Sequence, residues 1–312
     1  MTAFDHEPLW NKSKIFIERG LRERHAGEFG SFHLWAAISL EVLGKAALAK
    51  IHPSLVADPT SQESMFAACG LVLGTKRKSI QAKTVFERLG RISKDFDKVA
   101  HDFCEQLTHD RNAELHSGEL PFATSRPERW VPQFWKVAKV ILEAQSRTLT
   151  DWVGAEEAEL AQEVIDQAIT VLEQTVRGRI RKNQEEFNKK YPLGSRERSM
   201  VEAQHKGGGL VLWRDFAPHY GDETVPSLCP ACGCDGLLNG TETYEEVVDQ
   251  VQDAEYWNDI VEVTYSPEAF RCRACGLKLD GQEELHVAEM PSEFRQRKVR
   301  QTEFDDDAYG ND

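Results

Sequence analysis

The sequence predicts a mainly helical chain followed by a small β-rich domain at its C-terminal side. Three observations predict it. Residues 8–206 carry apolar side chains at helical spacing almost without interruption. Gly207-Gly208-Gly209 then reads as a linker. Beyond it the hydrophobic period shortens toward two, and five of the seven cysteines gather there. A length of 312 residues suggests about two domains, and 40% hydrophobic content supplies enough apolar mass for a core, which excludes wholesale disorder.

The first helix, about 8–26, carries Leu9, Ile15, Ile17 and Leu21. The second, about 30–51, is strongly apolar and stops at His52-Pro53, since a residue before proline is pushed out of the helical region. A short helix at 60–72 and two more at about 78–93 and 95–117 follow. Gly118, Pro121, Pro127 and Pro132 break the pattern. Helices resume at about 133–152 and 155–190, the second of them long, with Leu160, Val164, Ile165, Ala168, Ile169, Leu172 and Val176 at helical spacing and a basic end. Past the linker, Val261–Tyr265 and Leu277–Leu279 read as short strands, while 241–259 fits strand or helix. The expected organisation is a helical domain over 1–206, a Gly linker at 207–209, a β-rich domain over 210–292 and an acidic, disordered tail over 293–312.

No run of about 18 apolar residues is present, which excludes a membrane-spanning helix. The opening MTAFDHEPLW has neither a basic n-region nor an apolar h-region, so the expected compartment is the cytoplasm, with no membrane partner. The net charge of −14 is unevenly spread. Residues 209–312 hold 8 Lys and Arg against 23 Asp and Glu, whereas residues 1–208 hold 30 against 29. The first two thirds can therefore approach a phosphate backbone, and the acidic remainder suits a basic protein surface better than nucleic acid. The basic run from Arg177 to Lys206 reads either as a guide for RNA or as a solvated helix end that complements the acidic part.

Cys69 and Cys104 lie alone in helical sequence and are expected to be small buried hydrophobes. Cys229-Pro230-Ala231-Cys232 and Cys272-Arg273-Ala274-Cys275 are two C-x2-C knuckles, each followed by glycine, with thirty-nine residues between them. Four thiolates so spaced match tetrahedral Zn2+. The glycines permit the tight turn that lets backbone amides approach sulfur. The arrangement resembles a zinc ribbon with a long middle insertion. Cys229, Cys232, Cys272 and Cys275 are the expected ligands, and Cys234 is an alternative to Cys232. Four cysteine ligands leave no open coordination position, so the zinc is expected to be structural.

His109-Asp110-Arg111-Asn112-Ala113-Glu114-Leu115-His116-Ser117-Gly118 closes the 95–117 helix. Arg111 and His116 stand about 140° apart around a helix, and Asn112 and His116 share a face. His moves a proton near neutral pH, Arg clamps phosphate with paired hydrogen bonds, and Asn orients either. That inventory suits RNA cleavage by the substrate's own 2′-hydroxyl. Taken alone, the same residues read more simply as a surface Arg and a His capping a helix C-terminus. Upstream, Glu41 and Lys45 are spaced to pair within an apolar helix. His33 reads as a satisfied core histidine, and Trp130, Phe134 and Trp135 as packing.

R-N-x3-H at the end of a helix in an all-helical domain resembles the R-x4-6-H motif of HEPN domains, and Asn112 fits the polar residue that follows the Arg. The helix Leu40-Glu41-Val42-Leu43-Gly44-Lys45-Ala46 is similar to the E-x3-K-A helix of HEPN relatives. The resemblance covers about residues 10–190, and the zinc ribbon is no part of the usual domain. It implies a metal-independent endoribonuclease that acts as a homodimer, with two motifs in one cleft, in bacterial antiviral defence or a toxin–antitoxin system. His116 would then be the general acid or base, Arg111 the phosphate ligand, Asn112 a positioning group and Glu41 a further polar group of the cleft. The alternative is a non-catalytic HEPN-like adaptor or nucleotide-binding module that recruits a protein partner through its ribbon.

Overall fold

The computed structural model describes residues 3–71, 73–208, 223–253 and 256–301. The chain forms two compact units, Met1–Ile169 and Thr170–Asp312. The first contains helices α1 (His6–His25), α2 (Phe29–Ile51), α3 (Gln62–Ala68), α4 (Ala82–Ile92), α5 (Lys98–His116), α6 (Pro121–Thr124), α7 (Pro127–Glu143) and α8 (Leu149–Val153), and the start of α9 (Ala155–Lys190). Helix α2 is apolar around most of its circumference and contributes to the core, burying Phe32, Ala36, Leu40, Leu43, Ala46 and Leu48. Gly44 lets α4 approach, because a Cβ there would meet Val85 Cγ1 at 2.8 Å. Phe134, Trp135 and Trp152 complete this core, with Trp152 Nε1 donating to Ser13 Oγ at 3.1 Å. The tryptophans and Phe134 therefore pack, as expected.

The prolines start helices as well as break them. Pro121 and Pro127 occupy first-turn positions of α6 and α7, where proline loses no intrahelical bond. Helix α7 runs on through Pro132. Trp130, Val131, Phe134 and Trp135 are all buried around it, and that burial outweighs a local cost of about 3 kcal/mol. The expected 133–152 helix is accordingly two, interrupted near Ser146, whose φ is +55°.

The second unit holds the remainder of α9, α10 (Arg196–Gln204), α11 (Gln282–Val287) and an antiparallel sheet. Its strands are β1 (Glu223–Leu228), β2 (Asp235–Asp253), β3 (Tyr256–Arg271), β4 (Lys278–Asp280) and β5 (Phe294–Gln301). The long β3 pairs with β2 along one edge and with β4 and then β5 along the other, while β1 pairs with the start of β2. Segment 241–259, open between strand and helix in the sequence, is strand on both sides of the β2–β3 connection.

Two expected boundaries are corrected. The units divide inside α9, not at Gly207–Gly209. Val176 and Phe187 of α9 are buried in the same core as the knuckle cysteines, Leu277, Leu279 and Leu285, so α9 past Ile169 belongs with the sheet. The stretch assigned to a disordered tail from 293 contains β5. Its basic side chains meet acidic partners: Arg295 with Glu262 at 3.2 Å, Lys298 with Glu223 at 2.8 Å and Arg300 with Glu245 at 2.7 Å. Gly209, residues 210–222 and the end of the expected tail, 302–312, lie outside the described residues.

Candidate functional site

Two side-chain clusters stand out, one in each unit. In the helical unit, Arg111 of α5 reaches across to α2 and pairs with Glu41 through Nη1 and Oε2. The other Glu41 oxygen accepts from Lys45 Nζ at 2.7 Å, and Lys45 also donates to Ser79 Oγ at 3.0 Å. Ser79 is held by a backbone bridge to Ala57. Asn112 Oδ1 accepts from Arg111 Nη2 at 2.9 Å and from Nε at 3.3 Å. The result is a chain of contacts, Ser79–Lys45–Glu41–Arg111–Asn112, with the Glu41 side chain only 14% exposed. Burial pushes the Glu41 carboxyl up, but the charge and hydrogen bond of Lys45, and then those of Arg111, outweigh it and hold it below the usual carboxylate range.

The structure thus joins two features that lie seventy residues apart in sequence, the Glu41–Lys45 helix and the Arg111 motif. It places Asn112 on Arg111, and no hydrogen bond between Asn112 and His116 occurs among the described residues. His116 is the last residue of α5 and is exposed. His109 also lies on the surface, beside Asp110 at 3.5 Å. Ser79 was missed by sequence reasoning. It comes from a loop 34 residues from Lys45, and no local pattern marks it.

The second cluster is built from the two knuckles, which have the same backbone geometry. Gly233 N donates to Cys229 O at 3.0 Å and Gly276 N to Cys272 O at 2.8 Å. Cys229 N donates to Cys234 O, and Cys272 N to Leu277 O, each at 2.9 Å. Both glycines adopt the left-handed conformation, with φ +74° and +78°, which disfavours a side chain. Cys229, Cys232, Cys272 and Cys275 bring their sulfurs within 4.8 Å of one another, with Cys229–Cys275 and Cys232–Cys272 both at 3.6 Å. Hydrogen bonds from Cys229, Cys232 and Cys275 draw the Cys272 thiol down, while hydrogen bonds with Cys229 and Cys272 push both Cys232 and Cys275 up. A cation bound among four thiols would displace their protons.

Cys234 is outside the cluster. It stands where Leu277 stands in the second knuckle, as the buried residue whose carbonyl closes the turn. Cys104 is buried as expected, but Cys69 is exposed. It caps the C-terminus of the short α3, and a helix end offers less cover than a helix face. Arg179 of α9 makes a two-armed pair with Glu284 at 2.7 and 2.9 Å within the same unit, so part of the basic helix end does complement the acidic domain.

No family model matches the chain, and no curated protein or solved structure is significantly similar to it.

Proposed function

We propose that the protein is a metal-independent endoribonuclease of HEPN type with a structural zinc site in its second unit. The observation that carries the reading is the arrangement around Arg111. A guanidinium is oriented by a partly buried carboxylate, and about 1.4 turns further along the same helix His116 ends the helix in solvent. A His buried against its own bundle would have favoured an adaptor; His116 is exposed. In the proposed reaction the 2′-oxygen of RNA attacks the adjacent phosphorus and the bond to the 5′-oxygen breaks. This leaves a 2′,3′-cyclic phosphate and a 5′-hydroxyl. His116 takes the 2′-hydroxyl proton or delivers one to the departing oxygen. Arg111 binds the non-bridging phosphate oxygens, whose negative charge grows in the transition state. Glu41, backed by Lys45, fixes the direction of Arg111. Two copies would supply both proton-transfer roles from two motifs, and the exposed Leu115 and Leu120 on either side of His116 are apolar groups suited to such a contact. Bacterial antiviral defence or a toxin–antitoxin system is the setting this chemistry suits.

The four cysteines fit Zn2+. Tetrahedral ligands about 2.3 Å from zinc stand roughly 3.8 Å apart, and two sulfur pairs already lie at 3.6 Å. Bound there, the metal would hold two turns together and leave no open position. The acidic surface of this unit suits a basic protein partner.

The test is cleavage of total cellular RNA in brief, mild EDTA by wild type and His116→Ala. Cleavage by wild type alone, with 2′,3′-cyclic phosphate ends, is expected. Intact RNA after wild-type treatment, or undiminished cleavage by the variant, overturns the reading.

A further inference from the structure

A cavity of about 380 Å3 opens beside α5 in the helical unit. Gln106, Leu107 and Asp110 of α5 form one wall, His33 and Trp130 another, and Arg126 and Arg129 its rim. Its size is that of a small-ligand pocket. Asp110 immediately precedes Arg111, so one helix carries both the cavity wall and the motif.

Three features set this cavity apart. First, Arg126 and Arg129 are exposed, and neither guanidinium makes an ion pair or side-chain hydrogen bond among the described residues. The cavity beside α8 opposes its cations with Glu143 and Glu159, and the one beside α4 with Glu87 and Asp97. Here the sole carboxylate, Asp110, already accepts from Gln106 Nε2 at 2.7 Å and lies 3.5 Å from His109 Nδ1. Second, the His33 ring is only 5% exposed and is clamped between Trp130, at 3.9 Å and nearly parallel, and Phe122, at 4.2 Å. Third, His33 Nδ1 is buried without any hydrogen-bond partner. The expectation of a satisfied core histidine is therefore corrected. Burial lowers its pKa to about 4, so the ring is neutral near pH 7 and carries one N–H. A proton on Nε2 leaves Nδ1 as an orphaned acceptor rather than an orphaned donor.

We propose that this cavity is a second phosphate subsite, which receives the RNA backbone phosphate next to the one held at Arg111. Arg126 and Arg129 provide the charge and the paired donors that a phosphate needs. His33 lines the cavity; with Nδ1 buried as an acceptor, its Nε2–H is the group that would donate to the phosphate, without adding charge. The placement next to the scissile phosphate rests on the ribonuclease reading; the anion site itself does not.

The experiment is calorimetric titration of the full-length protein with inorganic phosphate and with a short 2′-O-methyl RNA that cannot be cleaved. It is run on wild type, on Arg126→Ala/Arg129→Ala and on His33→Phe, which keeps a ring in the stack and leaves the net charge near pH 7 unchanged. The expected result is at least tenfold weaker RNA binding in both variants and loss of phosphate binding in the double variant. Unchanged RNA affinity in His33→Phe overturns the built subsite, leaving only two surface charges. Phosphate binding that depends on the arginines while RNA affinity does not overturns the assignment to RNA and leaves a small-anion pocket. RNA binding that both variants weaken supports the subsite even where wild type cleaves nothing, in which case only the catalytic reading falls. Cleavage dependent on His116 with KM unchanged in the double variant overturns the subsite and spares that reading.

Discussion

Glu41 sits between two cations inside a helical core, and its surroundings decide what its removal does. Glu41→Gln keeps the shape but strands Lys45, itself only 8% exposed, as a buried charge without its counter-ion. Breaking one partner of such a pair costs about 3–5 kcal/mol. Urea denaturation should read a loss of that order for Glu41→Gln. The double variant Glu41→Gln/Lys45→Met should recover part of it, because the stranded charge is gone. The recovered protein should still cleave RNA at least tenfold more slowly than wild type, since Arg111 has lost its brace; undiminished cleavage would remove Glu41 from the site. Two side chains also give separate pH windows. His33 is neutral when folded, with its pKa lowered from 6.5 to about 4, so the unfolded chain binds more protons between those values. Stability should fall as pH drops from about 6.5 to 4, by about 3 kcal/mol at most. Denaturation of His33→Phe should show no such slope in that window. The Glu41 contribution has the opposite origin and a lower window. Its carboxyl is held below the ordinary 4.5, so its stabilisation is present above that value and is lost as pH falls further.

The two knuckles show how an element repeats a solution. Each uses the same pair of backbone bonds and the same left-handed glycine. Gly233→Ala should cost about 1–2 kcal/mol from the backbone conformation alone, read as a lower midpoint in thermal unfolding. Metal analysis offers a sharper contrast. One zinc per chain is expected for wild type and for Cys234→Ala, and none for Cys272→Ser. Zinc lost from Cys234→Ala would mean that the ligand set is different. Strand β5 is the other informative element. It lies against β3 over Val261, Val263 and Tyr265, which form a buried cluster with Phe294 packed on it. Truncation after Pro291 should expose that cluster, and increased binding of a hydrophobic dye is the expected signal. An unchanged dye signal would show that β5 adds nothing to the fold.

At the scale of the whole molecule, the division inside α9 has a direct consequence for expression of the second unit. A fragment beginning at the Gly linker lacks Val176 and Phe187, which are 0% and 3% exposed in the cysteine core. A fragment spanning 170–301 contains them. With zinc supplied, the longer fragment should give dispersed amide resonances and the shorter one should not. Equal dispersion in both would place the boundary at the linker after all. Dispersion in the longer fragment alone would show two separate contributions: bound metal would close the two turns, and Val176 and Phe187 of α9 cover them.

The sequence by itself determined the features that depend on local spacing. Apolar side chains at a helical period marked α1, α2, α5 and α9 nearly to their ends. The knuckles, with glycine after each pair, selected the four cysteines that converge. Helical spacing also marked Glu41 with Lys45, and residue chemistry singled out Arg111 with His116. Only the tertiary structure decided which of these meet. Arg111 finds Glu41 because α5 packs on α2, and a pattern read over a few residues holds no information about a partner seventy positions away. The same reason explains the errors. Helix α7 continues through Pro132 because four large neighbours are buried around it. The basic β5 becomes a strand because acidic side chains face it across the sheet. His33 lies in an apolar stripe as read, yet the rings on either side of it leave one nitrogen without a partner. Local propensity contributes tenths of a kcal/mol per residue, whereas burial of a large side chain contributes several-fold more, so wherever the two disagreed the packing prevailed.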